Sequence, residues 1–160
     1  MQVKAQIDVM LFNGTVLGQF TFYQATIPAN NRRTDTVHIL LPPLDLNSTY
    51  VRASIFNYTT GKMIDSTNFF YVRPIYRTLP KPSYKVICND MVNSCTFGTT
   101  NFAHYVYLEL MDSKDTTLRL SNNFFDLTPG HDVEVKILSN HTLASISENL
   151  KFTSLYDAYN

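Results

Sequence analysis

The sequence predicts an all-β protein of two antiparallel β-sandwiches in tandem, the first of them incomplete. Three observations carry this. Apolar and polar residues alternate with period two along most of the chain. The alternating runs are short and recur at intervals of roughly 8–12 residues with turn residues between them. One proline-rich break divides the runs into two sets. No stretch of helical length carries apolar residues at i, i+3 and i+4.

The first run is the clearest. Val3, Ala5, Ile7, Val9 and Leu11 are apolar, and Gln2, Lys4, Gln6 and Asp8 between them are polar. Asn13-Gly14 follows, then Val16, Gly18, Phe20 and Phe22 alternate again. An Asn-Gly pair between two such runs predicts a β-hairpin over 2–23, because both residues tolerate the positive φ of a type I′ turn. A polar loop over 28–34 leads to a strand at 35–41, stopped by Pro42-Pro43, which cannot donate to a ladder. Tyr50 to Phe56 is the next strand, Tyr58 to Lys62 a turn, and Ile64 to Val72 the return strand.

Pro74, Pro80 and Pro82 then fall within residues 73–83, which show little periodicity. This reads as a stiff, extended connector and as the domain boundary, giving 1–78 and 79–160. Beyond it come strands at 84–88, 93–97, 103–110, 124–127, 132–137 and 149–155. The second set suffices for a sandwich of the immunoglobulin or fibronectin type. The first looks two strands short of one, as if Met1 lay inside a sandwich. One larger sandwich is the competing arrangement. If strands are missing, 2–11 or 35–41 should leave an uncovered edge or apolar face.

Composition narrows the function classes. The 160 residues include 13 Lys plus Arg and 13 Asp plus Glu, for a net charge of zero, and charged residues are only 16%. That balance argues against a nucleic-acid or anionic-membrane surface. The longest apolar stretch, 37–44, is far short of the ~20 residues that span a bilayer. No apolar segment of signal-peptide type follows Met1-Gln2-Val3-Lys4. Five glycines and no G-x-G-x-x-G or G-x-x-x-x-G-K pattern leave no phosphate cradle.

Candidate chemistry is sparse. Glu109, Glu134 and Glu148 are the three glutamates, and Glu109 and Glu134 fall on the polar faces of strands. No two are spaced as an acid and nucleophile pair. His38, His104, His131 and His141 are scattered without metal-ligand spacing. No catalytic residue, metal ligand or cofactor is expected. Cys88 and Cys95 enclose six turn-rich residues, which fits either a disulfide across adjacent strands or two buried thiols. Four N-x-S/T sequons begin at Asn13, Asn47, Asn57 and Asn140. With a disulfide they favour a secreted or lysosomal glycoprotein. The aromatic runs 69–71, 105–107 and 124–125 could stack on sugar rings, but core packing with one exposed tyrosine per strand is the expectation.

Leu120-Ser121-Asn122-Asn123-Phe124-Phe125-Asp126-Leu127-Thr128-Pro129-Gly130, followed by Val133-Glu134-Val135, resembles the "S-D-N-F-F-D-L-x-P-G" stretch in the last Ig-like domain of β-mannosidases of the family-two glycoside hydrolases. Phe152-Thr153-Ser154-Leu155-Tyr156-Asp157-Ala158-Tyr159 is similar to the "V-T-S-L-x-D-x-Y" ending of the animal lysosomal type. Asp65 to Tyr71 resembles the "P-x-N-Y-x-F" strand of the preceding domain. Asn122 stands where the family usually has Asp. The resemblance implies a parent enzyme that removes terminal β-linked mannose, with its two catalytic glutamates in a (β/α)₈ barrel too large for this chain. It implies the rest of that enzyme as the partner, with oligosaccharide at the cleft edge, and no catalytic residue here. A stand-alone module binding carbohydrate or protein is the competing function.

Overall fold

The computed structural model describes residues 2–26, 34, 36, 38–41, 43–111, 118–139, 146 and 149–159. The chain divides into two compact units, Met1–Thr78 and Leu79–Asn160.

In the first unit, β1 (Gln2–Leu11), β2 (Val16–Thr26), β3 (Thr49–Asn57) and β4 (Met63–Phe70) form one antiparallel sheet in the order β2-β1-β3-β4. The strands of the described residues in this unit thus form a single layer. The first hairpin is present, but its turn differs from expectation. Only Gly14 has positive φ (88°). The Gly14 N–H donates to the Leu11 carbonyl at 2.9 Å and the Leu11 N–H to the Thr15 carbonyl at 2.9 Å. This is a three-residue loop with glycine in the left-handed position, not a two-residue type I′ turn. The extra residue lets Phe12 turn inward and be buried.

Of the strand expected at 35–41, Asp35 and Val37 lie outside the described residues. Among its described residues, Thr36 and His38–Leu41 carry no ladder, and Leu40 is exposed. β1 and β3 pair directly across the intervening chain.

Register places Ala5, Ile7, Val9, Val51, Ala53, Ile55, Phe20 and Phe69 on one face. The opposite face carries Asp8, Met10, Tyr50, Arg52, Ser54 and Phe70. Coverage runs against polarity. Asp8, Arg52 and Ser54 are buried, whereas Ile55 and Phe69 on the apolar face are 41% and 58% exposed. Tyr50 stacks on Phe12 at 5.4 Å and lies 6.1 Å from Phe70, which the Arg77 guanidinium covers at 3.7 Å. The 73–83 connector is not simply extended. Pro74–Tyr76 form a 3₁₀ turn, and the Thr78 N–H donates to the Asn47 carbonyl at 2.8 Å.

The second unit is a two-layer sandwich. β5 (Tyr84–Asn89), β6 (Ser94–Thr99) and β9 (Val133–Lys136) form one sheet, ordered β5-β6-β9. β7 (Ala103–Leu110), β8 (Phe125–Leu127) and β10 (Leu150–Thr153) form the other, ordered β10-β7-β8. Phe97 and Val135 from the first sheet meet Val106, Leu108, Phe125 and Leu127 from the second in one buried cluster. The alternation read at 84–88 is observed, with Tyr84, Val86 and Cys88 packed against this core and Lys85 and Ile87 outward.

The final strand is shorter than expected, and α1 (Leu155–Tyr159) follows it. Ser154 is the reason. The Asp157 carboxylate accepts both the Ser154 N–H at 2.8 Å and the Ser154 hydroxyl at 2.9 Å. That is the serine–acid spacing of a capping box, which satisfies donors left over at a helix start.

Tyr84 packs its ring on Phe152 at 4.5 Å. Burial holds its phenol above the usual tyrosine range; Ser154 offsets this in part, although no well-formed hydrogen bond joins the two hydroxyls. The unfolded phenol titrates near about pH 10. The raised folded value therefore contributes stability that is complete below that pH and is lost as pH rises through the folded value. Tyr84→Phe should flatten the alkaline limb of a stability–pH curve above about pH 10. An unchanged alkaline limb in denaturant titrations would show that Tyr84 carries no such linkage.

Candidate functional surface

Cys88 and Cys95 face each other on directly paired rungs of β5 and β6 and are joined by a disulfide. The turn of 90–93 closes the hairpin, and Asn93 at its end adopts positive φ (48°). Asn93 donates to the Ile137 carbonyl at 2.7 Å, tying this turn to the end of β9. Replacing both cysteines with alanine should cost about 2–3 kcal/mol through the lost loop constraint. Calorimetry should read this as a drop on the order of 10 °C in the melting of residues 79–160. No drop on substitution or on reduction would mean the hairpin is fully ordered without the bridge.

The two described glutamates, Glu109 and Glu134, are not brought together. Glu109 pairs with Lys151 at 2.7 Å on β7 and β10, while Glu134 on β9 accepts the Ser94 hydroxyl at 2.8 Å. Glu148 lies outside the described residues, as do His141 and the sequon at Asn140. His38 is exposed, and His131 bridges to Thr128. His104 is buried, with Nδ1 2.6 Å from the Asp126 carboxylate. Among the described residues no three His, Cys, Asp or Glu group as metal ligands would.

The other sequons sit at turns. Asn13 is exposed at the first hairpin tip, and its side-chain oxygen accepts the Thr15 N–H at 3.0 Å. Asn57 similarly accepts the N–H groups of Thr59 and Thr60. Asn47 is exposed, but the Thr49 hydroxyl of its sequon is buried and donates to the Asp45 carbonyl at 2.7 Å. The Asp45 carboxyl titrates below its usual value, chiefly through the Ser48 hydroxyl and then the Asn47 N–H.

Arg52 was not singled out in the sequence. It is 2% exposed, and two of its guanidinium nitrogens have no hydrogen-bond partner. Nη2 reaches only Met63 Sδ and Ser66 Oγ, both at 3.4 Å. Desolvation lowers its pKa, with Tyr50 and Asp8 opposing. Nothing in the alternation distinguishes this arginine from a solvated one; the signal lies in the covered polar face.

The feature that departs furthest from expectation is aromatic. Period-two alternation sends Val106 and Leu108 inward and Tyr105 and Tyr107 outward on β7. Phe124, 66% exposed, is not accounted for by core packing, whereas Tyr105, 52% exposed, is the one exposed tyrosine expected on β7. Both residues have positive φ, 60° and 54°, which bulky side chains seldom adopt. Neighbouring side chains hold them there. The Asn123 carboxamide oxygen accepts the N–H of Leu108 at 2.9 Å and of Phe124 at 3.1 Å, and its nitrogen donates to the Leu108 carbonyl. Asp126 accepts the Tyr105 N–H at 3.2 Å. Phe124 then stacks on Tyr107 with ring centroids 4.9 Å apart. Phe125, one residue on, turns into the core.

The family model of the mannosidase Ig-fold domain matches residues 79–158. The chain belongs to this family. Among solved structures, a β-D-mannosidase from Dictyoglomus thermophilum is similar with a TM-score of 0.69 at 20% identity, over 96% of this chain and 18% of that one. The exo-chitosanase of Amycolatopsis orientalis is similar with a TM-score of 0.57 at 12% identity, over 96% of this chain and 22% of that one. At such identities the likeness is one of fold. The chain spans about a fifth of the length of these structures. No curated protein matches.

Proposed function

We propose that the chain is the C-terminal, non-catalytic β-sandwich region of a β-mannosidase, an enzyme that hydrolyses terminal non-reducing β-D-mannose in oligosaccharides. The observation that carries this is the mannosidase Ig-fold match over 79–158. The motif at 120–130 and the 152–159 ending support the β-mannosidase reading and, within it, the animal lysosomal type. The partner is then the catalytic barrel of the same enzyme. The Cys88–Cys95 disulfide supports a secreted or lysosomal address, with the exposed hairpin-tip Asn13 the best-presented glycan acceptor.

A chromogenic β-mannoside tests the assignment. The 160-residue chain should give no turnover above buffer, and measurable hydrolysis by it would overturn the non-catalytic reading. Coding sequence for a (β/α)₈ barrel in frame upstream of Met1 is the expected genomic result; a stop codon there would remove the parent enzyme. Glycosidase treatment of protein from its natural host should lower its mass, and an unchanged mass would end the glycoprotein reading.

A further inference from the structure

We propose that the outward face of the β10-β7-β8 sheet is a sugar-binding ledge, on which the Tyr107–Phe124 pair takes the apolar face of one neutral hexose. The pair is preorganised. The rings stack at 4.9 Å, and Asn123 locks the Phe124 backbone in a conformation that presents its ring to solvent. A strained backbone that exposes an aromatic ring is offset by no burial of that ring, and such strain collects at ligand sites. Tyr105, two residues earlier on the same strand, is exposed and stacks on His104 at 3.6 Å.

The rim selects the class of ligand. Register places Thr153 beside Tyr107 and Lys151 beside Glu109. Glu109 and Lys151 neutralise each other at 2.7 Å, and Asp126 is engaged by His104 and the Tyr105 N–H. Among the described residues the one glutamate on this surface is thus paired, and the Asp126 carboxylate is already engaged by protein donors. A nucleic acid, an anionic lipid or a charged peptide would call for an unpaired charge of the opposite sign. A stable protein interface needs about 800 Å² on each side, whereas an ion pair bounds this apolar strip one pair of residues beyond Tyr107. A pyranose fits both features, with one face of C–H groups for the rings and hydroxyls for the rim.

The ledge stands on its own geometry; only β-mannosides as first probes rest on the proposed function. Amide NMR of the full chain, titrated with methyl β-D-mannoside, methyl β-D-glucoside and methyl β-D-galactoside, tests it. Saturable shifts are expected at Tyr105, Tyr107, Phe124, Lys151 and Thr153. Phe124→Gly, which suits the positive φ and keeps the fold, should weaken binding by roughly tenfold, on the scale of other aromatic stacking contacts. Phe124→Tyr should retain it, and Tyr107→Ala provides an independent loss. Binding of the glucoside or galactoside alone would support the ledge while counting against the mannosidase reading. No saturable shift with any sugar, shifts elsewhere, shifts unmoved by Phe124→Gly and Tyr107→Ala, or self-association through these residues would each overturn the proposal.

Discussion

Phe97→Ala is expected to destabilise residues 79–160 by about 3–5 kcal/mol, the usual loss for a buried phenylalanine whose cavity cannot collapse. Phe97 is 1% exposed and sits between the layers of the sandwich. Its ring lies 6.1 Å from Phe125 and 5.8 Å from Phe152, so truncation strips contacts from the opposite sheet as well as its own. Because the chain forms two compact units, the melting of 2–78 should hardly move. Scanning calorimetry with amide exchange separates the two. A loss below about 1 kcal/mol, outside the range for buried aromatics, would mean that Phe97 is not central to this core. Equal acceleration of exchange in both halves would mean that they unfold as one.

Tyr50→Ala should act in the mirror sense, costing the first unit about 3–5 kcal/mol. Tyr50 is fully buried, its ring lies against Phe12 and Phe70, and its hydroxyl contacts Met10 Sδ at 3.4 Å. Arg77 seals the far side of Phe70. Tyr50→Phe keeps the stacked rings and removes the hydroxyl with its sulfur contact, so it should cost less than Tyr50→Ala. If the two substitutions cost the same, the hydroxyl rather than the aromatic stack anchors this corner. The single layer and half-exposed apolar face also lead us to expect faster exchange over 2–11 than over 103–110. Equal protection would show that the open face carries no penalty.

Much of the fold was legible because period-two alternation marks strands that have one buried face. β1, β3, β5, β7 and β9 all announce themselves in this way, although in β1 and β3 it is the polar face, with Asp8, Arg52 and Ser54, that is covered. The failure at 35–41 has a physical basis. A continuous apolar run says that side chains avoid water, but not that a free sheet edge awaits them. The Asn13-Gly14 signal located a turn correctly and mistook its type, because the fate of Phe12 is decided by packing. Ser154 and Asp157 carry a capping signal in the sequence, but the helix behind it is too short to show periodicity.

The candidate surface was less legible. Sequence places Phe124 and Phe125 side by side and cannot say which turns outward. That choice depends on Asn123 bonding across to β7, and on the backbone conformation this bond fixes. Arg52 was equally hidden, since its burial follows from what covers the polar face of the first sheet.

The strand order β2-β1-β3-β4 shapes the kinetics of assembly. β1 with β2 and β3 with β4 are local hairpins, each closed by a few residues. Their union through β1 and β3 must close the chain from Leu11 to Thr49. Hairpins form in roughly 1–10 μs, whereas distant pairings wait on loop closure and set the slower rate. A mutation in the 12–15 turn should therefore alter an early microsecond phase. Shortening the segment between β2 and β3 should instead speed the step in which the two preformed hairpins meet.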